Sequence, residues 1–435
     1  MDPATIAVMT LVFMLMLIMI GVPIAFAMLV SGAVGFYVMT DGMAHITTQL
    51  SLTVWHSSTN FVMVALPLYL LMGQLITRSK IASDVYDCVY KWLGRMPGGL
   101  AITSVVSCAA FGAVSGGSIP AVATIGPMSM PSMRKYKYSD SLASGSIASA
   151  GTLGILIPPS IFLVVYGIWT ETSIGKLFIA GIIPGLLMML AFVLVIFLMC
   201  VVKPELGPVG PRFNWGERLR SLNKLLSVFS IFVLVIGGIY GGLFDPSEAA
   251  AIGVVGIFIV ILLMKRFDWS ATKKALLETM HTSAMLLVIV VGGHILGKFM
   301  VLTDLTVGII EEITGLGLNR FVIILLISLM YLILGCVLDV WGMLILTVPF
   351  IHPLVLELGF DSVWFGVYVV IMTELALITP PIGVNVYVMA KVVPDVPLGK
   401  IFRGVFPFFC AALVVILMIT LFPSIVTWLP TIAFQ

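Results

Sequence analysis

Charged residues are scarce in this chain of 435 residues. Only 10% are Asp, Glu, Lys or Arg, whereas 60% are hydrophobic. Soluble domains carry about 25% charged residues, which cover their water-facing surface. The scarcity therefore excludes an ordinary soluble protein. Apolar runs near the ~20 residues that span a bilayer recur from end to end, so the sequence predicts an all-α, polytopic integral membrane protein.

Cysteine and localised basic charge are also lacking. The five cysteines lie far apart with no C-x-x-C pair, which excludes a disulfide framework or a cysteine-based metal site. The net charge of +2 comes from scattered residues and indicates no nucleic-acid partner. The amino end has neither a basic n-region nor an A-x-A site, so we expect it to remain as the first membrane helix.

The two halves of the chain show the same order of apolar segments. Pro158 and Pro380 lie 222 residues apart. GKLFIAGIIP follows the first of these prolines and GKIFRGVFP follows the second. A fixed offset of this kind indicates an internal repeat. We expect a first repeat over 1–202, a basic linker over 203–224 and a second repeat over 225–435.

Basic residues change places between equivalent loops. The stretch 41–60 contains no Lys or Arg, whereas 264–283 contains four; conversely, 78–97 contains four and 301–320 only one. Because cytoplasmic loops collect Lys and Arg, equivalent loops lie on opposite sides of the membrane. The pattern predicts inverted-topology repeats, with the linker in the cytoplasm and both termini in the periplasm.

Double prolines interrupt two of the apolar segments, in GILIPPS and ALITPPI. Proline ends a helix because it lacks an N–H and its ring clashes with the preceding turn. The segment 98–133, which precedes the first double proline, begins and ends beside basic clusters of the cytoplasmic side and therefore cannot cross the membrane only once. The equivalent segment before the second double proline is 321–351. We therefore expect two re-entrant helical hairpins, 98–133 and 321–351, and two broken helices, 141–169 and 362–390.

Breaks at membrane depth predict a polar site, because unpaired backbone groups in lipid cost several kcal/mol each. Secondary transporters use such breaks to bind ions and anions, and oxygen ligands favour Na⁺ over soft metals. We predict two Na⁺ sites, one formed by Ser115, Gly116, Gly117, Ser118, Gly151, Thr152, Gly154 and Pro158, the other by Gly335, Asp339, Thr373, Thr379, Pro380 and Gly383. For substrate contacts we predict Ser118, Lys298 and Asn385.

Several of these residues have a second interpretation. Gly and Ser in SGGS are also common where membrane helices pack closely. Asp339, Glu374 and Lys298 lie in apolar surroundings, where an ionisable group is expensive and is a functional candidate. Lys298 either pairs with an anionic substrate or extends its amine to the membrane interface.

Four stretches resemble those of a known family in their residues and in their order along the chain: SGGSIPAVATIGPMSMPSM, SIASAGTLGILIPPSIFLVVYG, FDPSEAAAIG and LITPPIGVNVYV. Together they resemble the large membrane subunit of the tripartite ATP-independent periplasmic (TRAP) transporters, over essentially the whole chain. The stretch MTELALITPP departs from the family pattern. The resemblance implies a bacterial inner-membrane, Na⁺-driven elevator that imports an organic acid such as a C4-dicarboxylate or sialic acid. It also implies a small four-helix membrane subunit and a periplasmic substrate-binding protein as partners, besides membrane lipid.

Three other classes remain open. A stand-alone ion-coupled anion transporter would use the same sites without partners. An intramembrane serine hydrolase would need Ser115 or Ser118 beside a His, but no G-x-S-x-G occurs. A channel usually builds its pore by rotational symmetry, whereas inverted repeats with midplane breaks suit alternating access. The sequence favours a transporter, not an enzyme.

Overall fold

The computed structural model describes residues 2–40 and 43–434, and within these ranges the chain is helical without a strand. The first half contains α1 (Pro3–Met19), α2 (Ile24–Thr40), α3 (Met43–Thr59), α4 (Ala65–Arg78), α5 (Ile81–Leu93), α6 (Gly99–Ser115), α7 (Ser118–Lys135), α8 (Asp140–Ala150), α9 (Leu153–Leu156), α10 (Ile161–Thr170) and α11 (Ile174–Val202). The second half contains α12 (Trp215–Phe232), α13 (Gly238–Tyr240), α14 (Pro246–Leu263), α15 (Trp269–Leu302), α16 (Leu305–Gly315), α17 (Arg320–Leu334), α18 (Val340–Glu357), α19 (Ser362–Ala376), α20 (Val384–Val392), α21 (Leu398–Leu421) and α22 (Ser424–Ala433).

Long apolar helices dominate the fold. In the described ranges, six helices are long and apolar enough to cross a membrane, and seven if α8 to α10 is one bent span. Large apolar side chains also cover the outside: Met19 is 79% exposed and Leu263 is 77% exposed. Such a surface is stable in lipid but not in water. The predicted all-helical membrane protein is therefore confirmed.

The first predicted hairpin is the pair α6 and α7, which pack side by side and are joined at Gly116 and Gly117. Gly116 has φ +65°, a left-handed conformation that glycine adopts without steric cost. Its N–H donates to the carbonyl of Gly112 and so closes α6. The hairpin therefore turns inside the SGGS motif.

The second hairpin region is the pair α17 and α18, joined by residues 335–339. The hydroxyls of Tyr331 on α17 and Thr347 on α18 form a hydrogen bond that links the two arms. Asp339 caps α18 by accepting a hydrogen bond from the Gly342 N–H. This joint is longer than the glycine turn of the first hairpin.

Both broken helices are interrupted at their double prolines. The chain bends by 41° between α8–α9 and α10, and residues 377–383 separate α19 from α20. The Pro158–Pro159 and Pro380–Pro381 peptide bonds are both cis. These breaks leave backbone groups without their usual helical partners in the interior.

Helices from the two halves pack against one another, and we divide most of them into two groups by their contacts. We call α1–α4, α14 and α15 the framework; in it α2 packs on α15, and α4 packs on α14 and α15. We call α6–α11 and α17–α21 the block; in it α8 packs on α21, and α7 packs on α20. The block contains both hairpins and both breaks, so its interior positions the candidate site.

Candidate functional site

The tip of the first hairpin lies directly on the first broken helix. The Cα of Gly154 contacts Gly112 so closely that a side chain at Gly112 would overlap it. A Cβ on Gly154 would lie 2.8 Å from the Gly117 carbonyl oxygen, and one on Gly116 would lie 3.0 Å from that of Pro159. Only glycine permits such contacts between backbones. The structure thus brings the glycines of the first predicted site together.

Asn385, from the second broken helix, completes this cluster. Its side-chain amide donates to the Ser118 hydroxyl at 2.6 Å and to the Ala148 carbonyl at 3.2 Å. Asn385 is fully buried. A Cβ on Gly151 would lie 3.1 Å from its Nδ2 atom. One side chain therefore joins the second break to both the hairpin tip and the broken helix of the first half.

Three side-chain oxygens, one of this cluster and two of residues beside it in the chain, are buried without a hydrogen-bond partner among the described residues. They are Ser115 Oγ, Ser149 Oγ and Asn385 Oδ1. A buried polar atom left without a partner costs about 1–3 kcal/mol. Thr152 differs, since its hydroxyl donates to the Ser149 carbonyl at 2.7 Å. The unpartnered oxygens are the hard, neutral donors that an alkali cation accepts as ligands.

The second hairpin also contacts the second break. A Cβ on Gly335 would lie 2.6 Å from the Ala376 Cβ, and the Cys336 thiol donates to the Pro380 carbonyl at 3.4 Å. The hydroxyls of Thr373 and Thr379 donate to carbonyls of their own segment. This region shows close packing, with fewer unpartnered oxygens than the first.

Asp339 lies on the framework side of its hairpin. It lines a cavity of about 530 Å³ with Pro23 and Ile24 of α2 and His281 of α15. No residue of the second break lines this cavity. Asp339 therefore faces the boundary between framework and block, apart from the threonines with which the sequence grouped it.

The three predicted substrate residues occupy two places. Ser118 and Asn385 are in contact inside the block, whereas Lys298 lies on the framework helix α15. The Lys298 amine donates to the Thr53 hydroxyl at 3.0 Å and lines a separate cavity of about 510 Å³. The structure therefore does not bring Lys298 to the same site.

Two residues gain importance from the structure. Ser149 follows Ala148, the acceptor of Asn385, and its buried hydroxyl has no partner among the described residues. In SIASAG it looks like one more small residue of a packed helix. Glu374 is 3% exposed, and neither carboxylate oxygen has a partner in the described part of the chain. It lines a small cavity with Thr152, which places it between the two breaks. The sequence shows that Glu374 is an ionisable residue in an apolar segment, but not that it lies beside Thr152.

Comparisons with known proteins agree with this architecture. The family model described as "Tripartite ATP-independent periplasmic transporter, DctM component" matches residues 11–425. The C4-dicarboxylate TRAP transporter large permease protein DctM of Pseudomonas aeruginosa is 34% identical over 88% of this chain and 89% of its own length. The sialic acid large permease SiaM of Vibrio cholerae is 30% identical over 95% and 96%.

A solved structure has the same fold. The YdaH transporter of Alcanivorax borkumensis superposes with a TM-score of 0.61 over 88% of this chain and 89% of that chain, at 14% identity. The matched relatives are named as transporter permeases, so the chain is a transport protein and not an enzyme. The chain belongs to the DctM component, the large permease, of the tripartite ATP-independent periplasmic transporters.

Proposed function

We propose that the chain imports an organic acid anion together with Na⁺, by movement of the block past the framework. The solute is a carboxylate of the kind that its relatives are named for, a C4-dicarboxylate or sialic acid. Na⁺ bound within the block organises the hairpin tips, and the loaded block then moves inward. In support, the helices of both hairpins and both breaks contact one another through α7, α20 and α19.

The observation that carries this proposal is the contact of Asn385 with Ser118 and Ala148. It joins both broken helices and a hairpin tip around oxygens that have no partner in the described chain. Most buried polar atoms in proteins have a hydrogen-bond partner. A cation at this point would satisfy them and would favour the organised tip, which couples ion binding to solute binding.

The proposed ion sites are divided between the halves. The first is formed by residues of SGGS and of the first break, from Ser115 to Pro158, and Asn385 contributes an oxygen from the second half. The second is formed by the loop at Gly335 and the second break from Thr373 to Gly383. Asp339, which the sequence grouped with this second site, instead faces the cavity shared with the framework.

The inverted repeat is also part of the proposal. In support of it, α6, α7, α10 and α11 lie at offsets of about 220 residues from α17, α18, α20 and α21. The packing of α2 on α15 is matched by that of α14 on α4. The charges of the loops support a topology with both termini in the periplasm and the linker in the cytoplasm of a bacterial inner membrane.

Partners follow from the tripartite family. We propose a small four-helix membrane subunit docked on the framework and a periplasmic binding protein that delivers the solute. Framework helices expose much apolar surface; for example, Trp55 on α3 is 67% exposed. Lipid and the small subunit would share this surface.

Uptake by the reconstituted three-part system tests the proposal. Proteoliposomes containing this chain and its small subunit receive binding protein loaded with radiolabelled succinate or sialic acid. We expect uptake only under an inward Na⁺ gradient, and at least tenfold less with Asn385→Leu. Uptake that is equal in K⁺ would refute Na⁺ coupling, and full uptake without the binding protein would refute the tripartite arrangement.

A further inference from the structure

The cavity that contains Lys298 lies between the framework and the block. Its volume is about 510 Å³, within the ~300–1,000 Å³ typical of small-molecule sites. Helix α15 supplies Lys298 and His294 on one wall, and the end of α10 supplies Trp169 and Glu171 on the other. Helix α18 closes the cavity with His352. In the topology proposed above, the start of α15 is cytoplasmic, so the crevice near its end opens on the periplasmic side.

Lys298 is held in place but not neutralised. Its amine donates one hydrogen bond to Thr53, a buried residue of α3. Within the described chain Lys298 forms no ion pair. An ammonium has three N–H donors, so two remain for a ligand. The Lys298 side chain is exposed and lines the crevice.

A hydrogen bond and a ring contact hold His294 in the wall beside Lys298. His294, one turn before Lys298, forms a 2.9 Å hydrogen bond through Nδ1 with the Ser57 hydroxyl. The Trp169 ring lies 5.2 Å from the His294 ring and packs onto Gly293. Helix α3 therefore fixes both polar residues of α15, and an aromatic ring of the block closes the floor beside them.

Glu171 carries the opposite charge across the crevice. It ends α10 in a left-handed conformation, with φ +54°, and it too forms no ion pair in the described ranges. Lys298 and Glu171 thus line one cavity without neutralising each other. A ligand carboxylate on Lys298 is attracted, whereas a second carboxylate beside Glu171 is repelled.

We propose that this crevice is a docking site for solutes with a single carboxylate, anchored by Lys298 and selected against dicarboxylates by Glu171. The inference rests on the proposed function, because it names the solute class and its first contact on the membrane subunit. The site lies at the boundary between framework and block, apart from the ion cluster at Asn385. It would receive the solute before the block moves.

Direct binding tests this site without the binding protein, whose own preference would otherwise decide the result. The chain and its small subunit are purified in lipid nanodiscs, and equilibrium binding of radiolabelled sialic acid and succinate is measured in NaCl. We expect sialic acid, with one carboxylate, to bind about tenfold more tightly than succinate. Lys298→Gln should weaken sialic acid at least tenfold.

Two further variants separate the roles. Glu171→Gln should increase the affinity for succinate about tenfold and should change the affinity for sialic acid less than twofold. Lys176→Gln serves as the matched control, since Lys176 is exposed at the start of α11 and does not line the cavity. Tighter succinate binding by the unmodified protein, no effect of Lys298→Gln, or no binding of either probe would each overturn the inference. Loss of Na⁺ dependence in the uptake assay would refute the proposed function alone.

Discussion

The side-chain amide of Asn385 donates a 2.6 Å hydrogen bond to the hydroxyl of Ser118, although 267 residues separate them in the chain. Each residue follows a break in a helix, one at the tip of the first hairpin and one after the second double proline. Their contact means that the two halves share one polar cluster. An ion bound there would be sensed by both halves at once, which is a direct physical route to coupling.

Replacing Asn385 by Leu removes this contact with a side chain of similar branched shape that has no hydrogen-bonding atoms. We expect Na⁺-dependent uptake to fall at least tenfold, because Ser118 and Ala148 lose their donor and the cluster loses the free Oδ1 oxygen. The free energy of unfolding should fall by about 1–3 kcal/mol. Radiolabelled uptake and thermal unfolding of the purified protein measure the two effects separately.

The matched control is Thr420→Val, which changes a buried polar residue whose hydroxyl bonds only to its own helix, at the Ile416 carbonyl. This variant should transport normally. Normal transport by Asn385→Leu as well would remove the cluster from the mechanism.

The sequence predicts local features better than distant contacts. Glycine and proline have strong local effects, so SGGS and both double prolines locate the hairpin turn and the helix breaks. The contact of Asn385 with Ser118 leaves no local pattern, because it depends on how the two halves pack. The framework-facing position of Asp339 likewise depends on tertiary packing, because Gly342, which it caps, packs against Ile24 of α2. Family resemblance supplies the class, but residue contacts come from the structure.

Gly112→Ala tests the close approach of the first hairpin and the first break. The added methyl group overlaps Gly154, so the hairpin tip must move or the backbone must shift. We expect the free energy of unfolding to fall by about 1–3 kcal/mol, as for other overpacked interiors. Gly308→Ala is the control, since no atom lies within 4 Å of its added Cβ. Equal thermal midpoints for the two variants would contradict this packing.

Asp339 has two roles that different substitutions can separate. It caps α18 through the Gly342 N–H, and its carboxylate faces the cavity shared with the framework. Asn is an equally good cap, so Asp339→Asn should keep the thermal midpoint while reducing Na⁺-dependent uptake. Asp339→Leu should lower both the uptake and the thermal midpoint, because losing the cap lowers the free energy of unfolding by about 1 kcal/mol. Normal uptake by the Asn variant would restrict Asp339 to capping.

An ion pair joins the end of the first hairpin to the turn after the second broken helix. Arg134 Nη2 lies 2.6 Å from Asp395 Oδ2, and the hydrogen bond from Arg134 lowers the pKa of Asp395 below its ordinary value. The pair therefore stabilises the fold at pH values above the unfolded-state pKa of about 3.9. Its contribution is lost as the pH falls through the lower folded-state pKa.

The expected consequence is a pH profile for Asp395→Asn. Its thermal midpoint should lie slightly below that of the unmodified protein, because exposed pairs contribute little. The difference should stay constant from about pH 8 to pH 5 and disappear at pH values below the folded-state pKa. A difference that grows on acidification would show that the pair does not act this way.

Glu374 is the buried ionisable residue whose replacement should stabilise the protein. It is 3% exposed, has no partner for either carboxylate oxygen in the described ranges, and shares its cavity with apolar residues and Thr152. Burying an ionisable group that has no hydrogen-bond or ionic partner is costly, and an apolar residue of similar size removes this cost. We therefore expect Glu374→Leu to raise the thermal midpoint by a few degrees, and Glu374→Gln to raise it less. Glu357→Leu, at an exposed acidic residue that ends α18, should bring no such gain.

The same variants should lose transport, because a costly buried group inside a membrane helix persists where function requires it. Uptake in proteoliposomes and unfolding in detergent should therefore change in opposite directions for Glu374→Leu. A Leu variant that is both less stable and inactive would show that the carboxylate has a structural partner in the membrane. A variant that is more stable and fully active would remove Glu374 from the transport cycle, and would leave the oxygens around Asn385 as the polar centre of the block.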